Sequence, residues 1–307
     1  MRLSIETYAI QRTTGREYMT DQKNTVMYQI TETSEFMMSF VIITKAGNAI
    51  VIDGGRAEDM PLLKKYIGGR HIAAWILTHA HSDHVGGLVS EFEKNDGKDF
   101  DIEKIYYNFP PYEIIDDHNV PCYEYFWEEL NEILPAFLKV LPKFQDKTHI
   151  TIQGESIQID EIKIEFLFSY HENLTSNLMN DSSLVFKVIT SSTSIIFLGD
   201  IGPEGGDMLY EESRHLLKAD MVQMAHHGHM NCSMEVYAAI APKVCLWCCA
   251  DWLYEEPEIP YYLEDRKALA QMQRTRMYGT AVTRKWMDAL GVKKHYVTKD
   301  GTNEIFI

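Results

Sequence analysis

The chain has 307 residues, with 45 acidic against 29 basic side chains and a formal net charge of −16. Such acidity disfavours polymeric nucleic acid and anionic membrane surfaces as partners, since both need a basic face. The start, Met1-Arg2-Leu3-Ser4-Ile5-Glu6, has no apolar signal core, and no run of about 18 apolar residues occurs anywhere. A cytoplasmic protein with no membrane partner is therefore expected, acting on a small molecule. Neither an internal repeat nor a low-complexity linker interrupts the chain, so one domain over residues 1–307 is expected. The oligomeric state stays open.

Residues 1–23 are mixed and polar and suggest no element. Three strand-like segments follow: Thr25 to Thr31, Phe36 to Thr44 and Ala49 to Asp53. Lys45-Ala46-Gly47-Asn48 has turn chemistry and joins the last two as a hairpin. Asp53-Gly54-Gly55 ends the group. Pro61 to Ile67 reads as a short helix and Ile72 to Leu77 as a buried strand. That strand runs into Thr78-His79-Ala80-His81-Ser82-Asp83-His84-Val85-Gly86-Gly87, and Val85 to Lys94 can form a helix. Three imidazoles and a carboxylate thus crowd a tight strand-to-helix turn. Alternation at the strand end lets His79 and His81 point the same way. Asp83 and His84 follow at the helix start and can face a second point nearby. The arrangement suits two neighbouring metal ions. Gly86 and Gly87 remove side chains where the helix passes close to them. A solvated His-rich loop is the plainer alternative, but it leaves four polar side chains idle behind a buried strand.

The stretch His79-x-His81-x-Asp83-His84 resembles the signature of the metallo-β-lactamase superfamily of hydrolases. The resemblance implies an α/β fold, a four-layer αββα sandwich, with further ligands at later strand ends. It also implies that Asp53 braces the His-rich turn. A carboxylate accepting from the free ring N–H of a metal-bound histidine fixes its tautomer and orientation. An ordinary turn aspartate is the alternative.

Ile102 to Tyr107 is a further strand. Residues 109–144 form a helical insertion that a minimal version of the fold would not need. Phe126, Leu130, Ile133, Phe137 and Leu141 recur at helical steps, with Pro135 expected to kink the helix. Its apolar stripe is expected to pack on its own domain; a lid or a partner-facing helix are the other options. Ile150 to Ile159 and Ile162 to Phe168 read as paired strands, followed by a polar loop, His171 to Ser182. Ser183 to Thr190 and Ser194 to Leu198 read as a hairpin ending at Gly199-Asp200. An aspartate at a buried strand end has reason to be ionised where a cation sits beside it. Its two oxygens can serve two metals, and the resemblance places Asp200 as the bridge.

Gly205 to Leu217 should be helical, and the strand Met221 to Ala225 runs into His226-His227-Gly228-His229. The superfamily's last ligand is a histidine here, a place taken by His226. His227 is next to touch the site, as proton donor or as support for a ligand. His229 is assigned to the loop. Ser233 to Ile240 is a helix and Lys243 to Cys249 a strand. Within it, Cys245-Leu246-Trp247-Cys248-Cys249 holds three of the five cysteines. They read as small hydrophobes. A Cys-x-x-Cys metal clip is the sharper alternative, opposed by positions three apart on a strand facing opposite ways. Leu263 to about Leu290 is largely helical, broken at Gly279. His295 to Thr298 and Glu304 to Ile307 flank Lys299-Asp300-Gly301-Thr302, a hairpin turn.

The later motifs, Asn180-Asp181-Ser182-Ser183-Leu184-Val185-Phe186, Phe197-Leu198-Gly199-Asp200, Ala225-His226-His227-Gly228 and Tyr296-Val297-Thr298-Lys299-Asp300-Gly301, are similar to the hydrolase domain of bacterial DNA-uptake competence proteins. Two departures stand out. The superfamily usually has a histidine before the strand that begins at Ser183; here stands Leu178-Met179-Asn180-Asp181. Asp181 or Asn180 could supply an oxygen instead, and His171 is the spare imidazole. The competence-type domain also tends to carry a histidine after the strand Val244 to Cys249, where this chain has Ala250-Asp251-Trp252-Leu253-Tyr254-Glu255-Glu256-Pro257.

The resemblance therefore implies two divalent ions, Zn²⁺ first, with Mn²⁺ or Fe as options for an oxygen-rich site. His79, His81 and Asp181 would hold one, and Asp83, His84 and His226 the other, with Asp200 shared. Asp83 and His227 carry the expected catalytic roles. Zinc can lower the pKa of bound water from 15.7 to about 7, which supplies a metal-bound hydroxide. The expected reaction is hydrolysis of a phosphodiester, with a thioester or lactone as alternative. A metal-binding scaffold without turnover, or a diiron oxidoreductase, are readings from other classes.

Overall fold

A computed structural model describes residues 24–33, 35, 37–116, 124–175, 177–257 and 278–307. The expectations for residues 1–23 and for 263–277 lie outside these. In chain order the first elements are β1 (Val26–Gln29), β2 (Ser39–Ile43), β3 (Ala49–Asp53), α1 (Met60–Ile67), β4 (His71–Ile76), α2 (Ser82–Asn95), β5 (Asp101–Ile102) and β6 (Ile105–Tyr107). There follow α3 (Tyr112–Asp116), α4 (Glu124–Val140), β7 (Thr148–Ile150), β8 (Ser156–Ile159), β9 (Ile162–Phe168) and α5 (Leu178–Asp181). The last group is β10 (Val185–Ile189), β11 (Ser194–Phe197), α6 (Pro203–Ser213), β12 (Met221–Gln223), α7 (Met234–Ile240), β13 (Val244–Trp247), α8 (Asp251–Tyr254), α9 (Thr280–Ala289), β14 (Lys294–Val297) and β15 (Asn303–Phe306).

The strands build two sheets, one of eight strands in the order β15-β1-β2-β3-β4-β6-β7 with β5 beside β4, the other of seven in the order β14-β13-β12-β11-β10-β9-β8. Three apolar clusters define the layers. Phe40, Ile52 and Ile76 of the first sheet meet Phe166, Phe186 and Phe197 of the second in a core between the sheets. Val51 and Trp75 face the other way, onto Leu63 of α1, Leu88 of α2 and Phe137 of α4. Ile196, Val222 and Cys245 pack outward on Leu209 of α6, Tyr237 of α7 and Met287 of α9. Alternation along each strand thus feeds one central core and two flanking ones, and the stack is the expected αββα sandwich. No helix among the described residues is long and apolar enough to cross a membrane.

Two strand pairings differ from expectation. Ile150 to Ile159 is not one strand: β7 joins the first sheet beside β6, while β8 pairs with β9 in the second. Gly154 divides them with φ +86°, a turn conformation that a continuing strand cannot hold. Likewise β14 and β15 are not a hairpin. The first runs parallel to β13 and the second antiparallel to β1. Thr298 separates them by bonding both backbone groups of Cys249 through Oγ1, so the chain crosses between sheets there.

The helical insertion packs on its own domain. Ile133, Leu134, Phe137 and Val140 are buried against the α2 side of the first sheet, and the helix runs on through Pro135. The side chains of Phe126 and Leu130 lie outside what is described. Cys245 belongs to the outer cluster and Cys248 to the core between sheets. They face opposite ways and form no clip.

Candidate metal centre

The site lies where strand ends of both sheets meet. Thr78 leaves β4 and its carbonyl accepts from Leu184 N–H at 2.8 Å, which ties the end of the first sheet to the start of β10. Four residues later the chain enters α2, with His81 as its N-cap in extended backbone. Close helix packing explains Gly87 but not Gly86, where a Cβ would meet nothing nearer than 3.6 Å. A Cβ on Gly87 would stand 2.7 Å from the Gly54 carbonyl oxygen.

Asp53 ends β3 in a left-handed backbone, φ 51°. Its Oδ1 accepts from Thr78 N–H at 2.7 Å, and its Oδ2 from Thr78 Oγ1 and from His84 Nδ1, both at 2.7 Å. The carboxylate therefore sets the ring of His84, whose Nε2 faces Asp200. The bracing partner is His84, and the turn is braced with it.

Asp200 follows β11 and is 1 % exposed. Its Oδ2 lies 3.3 Å from His84 Nε2, 3.4 Å from His227 Nε2, 3.7 Å from His226 Nε2 and 3.9 Å from His79 Nε2. One oxygen thus gathers four imidazoles from two strand ends. His81 joins through its Nδ1, 3.0 Å from His79 Nε2. Asp83 Oδ2 stands 3.1 Å from His227 Nε2. Two overlapping groups bring their ligand atoms within 4.8 Å of one another: His79, His84 and Asp200, and Asp83, His84 and His227.

The centre has the electrostatics of a cation site. Burial opposes ionisation of Asp200, yet the charges of His84, His227 and His226 outweigh it and hold the carboxyl well below the usual range. Asp83 is held down in the same way by His84 and His227, with Arg56 adding to them. Burial also opposes protonation of His227, but Asp200 and Asp83 lift it to about 9, and the carboxylates around His84 raise it further above the usual value. His79 and His226 go the other way: burial pushes both down, His226 to about 4. Carboxylates that draw protons onto two interior imidazoles are asking for positive charge. His84 Nε2 and Asp200 Oδ1 are moreover buried without a hydrogen-bond partner. Imidazoles and carboxylates are the donor set of Zn²⁺, Mn²⁺ and Fe sites, so the residues present fit divalent ions.

Of the predicted ligands, His79, His81, Asp83, His84, Asp200 and His226 converge. Asp181 does not join either group. Its Oδ1 accepts from Gly205 N–H at 2.8 Å, the third residue of α6. It satisfies one of the orphan amides at that helix start, a use for the carboxylate that the loop sequence did not reveal. His171 serves its own loop, accepting from Asn173 N–H. The two histidines of the doublet make different contacts. His227, not His226, groups with Asp83 and His84. Its Nδ1 is 2.9 Å from the Cys248 carbonyl, which can only accept, so Nδ1 carries the proton and Nε2 faces the carboxylates. Both residues have left-handed backbones, φ 49° for His226 and 55° for His227, a strain typical of functional sites. His226 pairs through Nδ1 with the Asn231 side-chain amide. His229 is buried rather than loop-exposed, and its ring stacks on Tyr278.

Two supports were missed. Gln223, fully buried, accepts from Leu198 and Gly199 N–H at 2.8 Å each and donates to the Gly199 and Met224 carbonyls. Ser183 Oγ accepts from Asp200 N–H at 3.1 Å. Together they fix the turn that presents Asp200. The signal for Gln223 was an amide inside the apolar strand Met221-Val222-Gln223-Met224, which must find partners.

The family model described as Metallo-beta-lactamase superfamily matches residues 36–114, the span that carries Asp53 and the His-rich turn. This is the metallo-β-lactamase fold. CmlA, a diiron β-hydroxylase from Streptomyces venezuelae, is similar to it at a TM-score of 0.52 and 11 % identity, over 93 % of this chain and 54 % of CmlA. The metallo-beta-lactamase fold protein YhfI from Bacillus subtilis is similar at a TM-score of 0.47 and 13 % identity, over 92 % of this chain and 100 % of YhfI. A diphosphatase from the PhnP family is similar at a TM-score of 0.44 and 14 % identity, over 92 % and 97 %. No curated protein matches. Within the metallo-β-lactamase fold these likenesses concern architecture, and the chemistry rests on the residues of the centre.

Proposed function

We propose that the protein is a metal-dependent hydrolase with two divalent ions, zinc in the first instance, acting on a phosphodiester. The observation that carries this reading is the position of Asp200 Oδ2 within 3.9 Å of four imidazole nitrogens, with Asp83 against the same nitrogen of His227. Asp83, His84 and His227 would hold one ion, His79 and His81 the other, and Asp200 would lie against both. Bound there, such ions supply hydroxide at neutral pH and polarise the scissile oxygen.

The chain's own residues do the rest. Asp53 holds His84 in the tautomer that offers Nε2 inward, and the Cys248 carbonyl does the same for His227. The two ligand carboxylates favour hard, oxygen-binding ions and a charged phosphoryl group over the antibiotic-cleaving branch, which often uses cysteine. The resemblance of the later motifs to the competence-type hydrolase domains supports this reading. The acidic balance of the chain favours a small substrate over polymeric DNA. The test is turnover of a generic aryl phosphodiester, a thioester and a lactone after loading with Zn²⁺, Mn²⁺ or Fe²⁺. Phosphodiester hydrolysis is expected. Preference for the thioester or lactone would overturn the substrate, and no turnover with any metal would leave a scaffold.

A further inference from the structure

The loop that follows β3 is fastened to the metal turn along its length. Gly54 N–H donates to the His84 carbonyl at 2.8 Å, and the Gly55 carbonyl accepts from Gly87 N–H at 2.8 Å. Arg56 comes next. Its backbone N–H donates to Asp59 Oδ2 at 2.9 Å. Asp59 Oδ1 in turn accepts from the backbone N–H of Thr33 at 2.9 Å and from its hydroxyl at 2.6 Å. The Arg56 backbone is therefore held from both sides, and its side chain reaches out from a fixed base.

That side chain crosses to the first turn of α2. Nη1 donates to Ser82 Oγ at 2.7 Å, and Ser82 stands between His81 and Asp83. The guanidinium charge reaches the Asp83 carboxylate and helps to hold it ionised. The other edge of the guanidinium has no acceptor. Nε is buried without a hydrogen-bond partner, and Nη2 has only Glu35 at 3.9 Å, beyond hydrogen-bond reach. The Glu35 side chain is 71 % exposed, so that contact contributes little. A buried donor left unpaired costs free energy until an acceptor reaches it. Nε and Nη2 are also the parallel donors with which an arginine takes an oxyanion bidentately. In a chain of net charge −16, an anionic substrate needs such a local cation.

We propose that Arg56 is the anion-binding residue of the site, anchored on Ser82 through Nη1 and taking oxygens of the substrate's phosphate with its Nε–Nη2 edge. This rests on the phosphodiesterase reading above and names the group that distinguishes a charged phosphate from a neutral thioester or lactone. Arg56 supplies binding and orientation; no bond forms or breaks at it.

Two measurements on the zinc-loaded protein test it, with each variant compared at equal metal content. The first compares bis(p-nitrophenyl) phosphate with p-nitrophenyl acetate, which share a leaving group and differ in charge. Arg56→Ala is expected to raise KM for the diester about 10–100-fold more than for the acetate, as loss of a charge-assisted pair implies. Arg56→Lys, which keeps the charge and loses the fork, should recover part of this. The second is calorimetric binding of inorganic phosphate, which needs no turnover. Arg56→Ala should bind it at least about tenfold more weakly than the wild type, with Arg56→Lys between them. Equal effects of Arg56→Ala on the two esters, or an unchanged phosphate affinity, overturns the assignment. An Arg56→Ala protein that cannot be loaded with zinc overturns it as well, since Arg56 would then be a brace of the His-rich turn. If neither ester is cleaved while phosphate affinity depends on Arg56, the hydrolytic reading fails and the anion site stands.

Discussion

The ring of His227 hangs from the carbonyl of Cys248 by a 2.9 Å hydrogen bond and points its other nitrogen at Asp83, 3.1 Å away. Since the carbonyl only accepts, the inward nitrogen is the one available to a cation. On the proposed reading a residue held this way serves as a ligand rather than as a free proton donor. His227→Ala should therefore lower the metal content of the purified protein as well as its activity. Elemental analysis of that variant checks it; full loading with activity lost would return His227 to the role of proton donor.

Asp53 acts at one remove, through Thr78 and His84. Asp53→Ala should weaken metal affinity about 10–100-fold while the ligands themselves remain. Competition with a chelator of known affinity measures this. Unchanged affinity would reduce Asp53 to a turn residue.

Much of this was legible in the sequence because buried strands advertise themselves as apolar runs and their ends carried the imidazoles. His79 to His84, Asp200 and the His226–His227 doublet each follow such a run. What was not legible depended on partners far along the chain. That Asp181 gives one oxygen to the start of α6 shows only once Gly205 is placed beside it. The orientation of His227 is set by the carbonyl of Cys248, a group without side-chain signature. Lys299-Asp300-Gly301 has turn chemistry, but only the pairing partners β13 and β1 reveal that its strands part into different sheets.

Gly87 marks where α2 presses on the Gly54 backbone. Gly87→Ala puts a methyl group 2.7 Å from that carbonyl oxygen. Alanine gains about 1 kcal/mol of helix propensity there, whereas overpacking costs about 1–3 kcal/mol, so the variant should be less stable by up to about 2 kcal/mol. Urea denaturation decides it, and a more stable variant would show that α2 can shift away.

The metal-free protein should be most stable near pH 6.5, the ordinary histidine value. His226 sits at about 4 in the folded chain, so between pH 4 and 6.5 the unfolded chain binds more protons and stability rises with pH. His227 sits at about 9, so between pH 6.5 and 9 the folded chain holds the extra proton and stability falls as pH rises. Bound cations displace that proton and should remove the alkaline decline. Thermal unfolding across this range, with chelator and with zinc, tests both limbs; a metal-free protein that gains stability from pH 6.5 to 9 would contradict the arrangement.

The account turns on Asp200 serving a pair of cations. Metal content per chain, measured for the wild type and for Asp200→Ala side by side, tests it most directly. About two divalent ions in the wild type, and a marked loss of both in the variant, is the predicted result. Undiminished loading of Asp200→Ala, or a wild type that retains no metal from a zinc-supplemented medium, would contradict it.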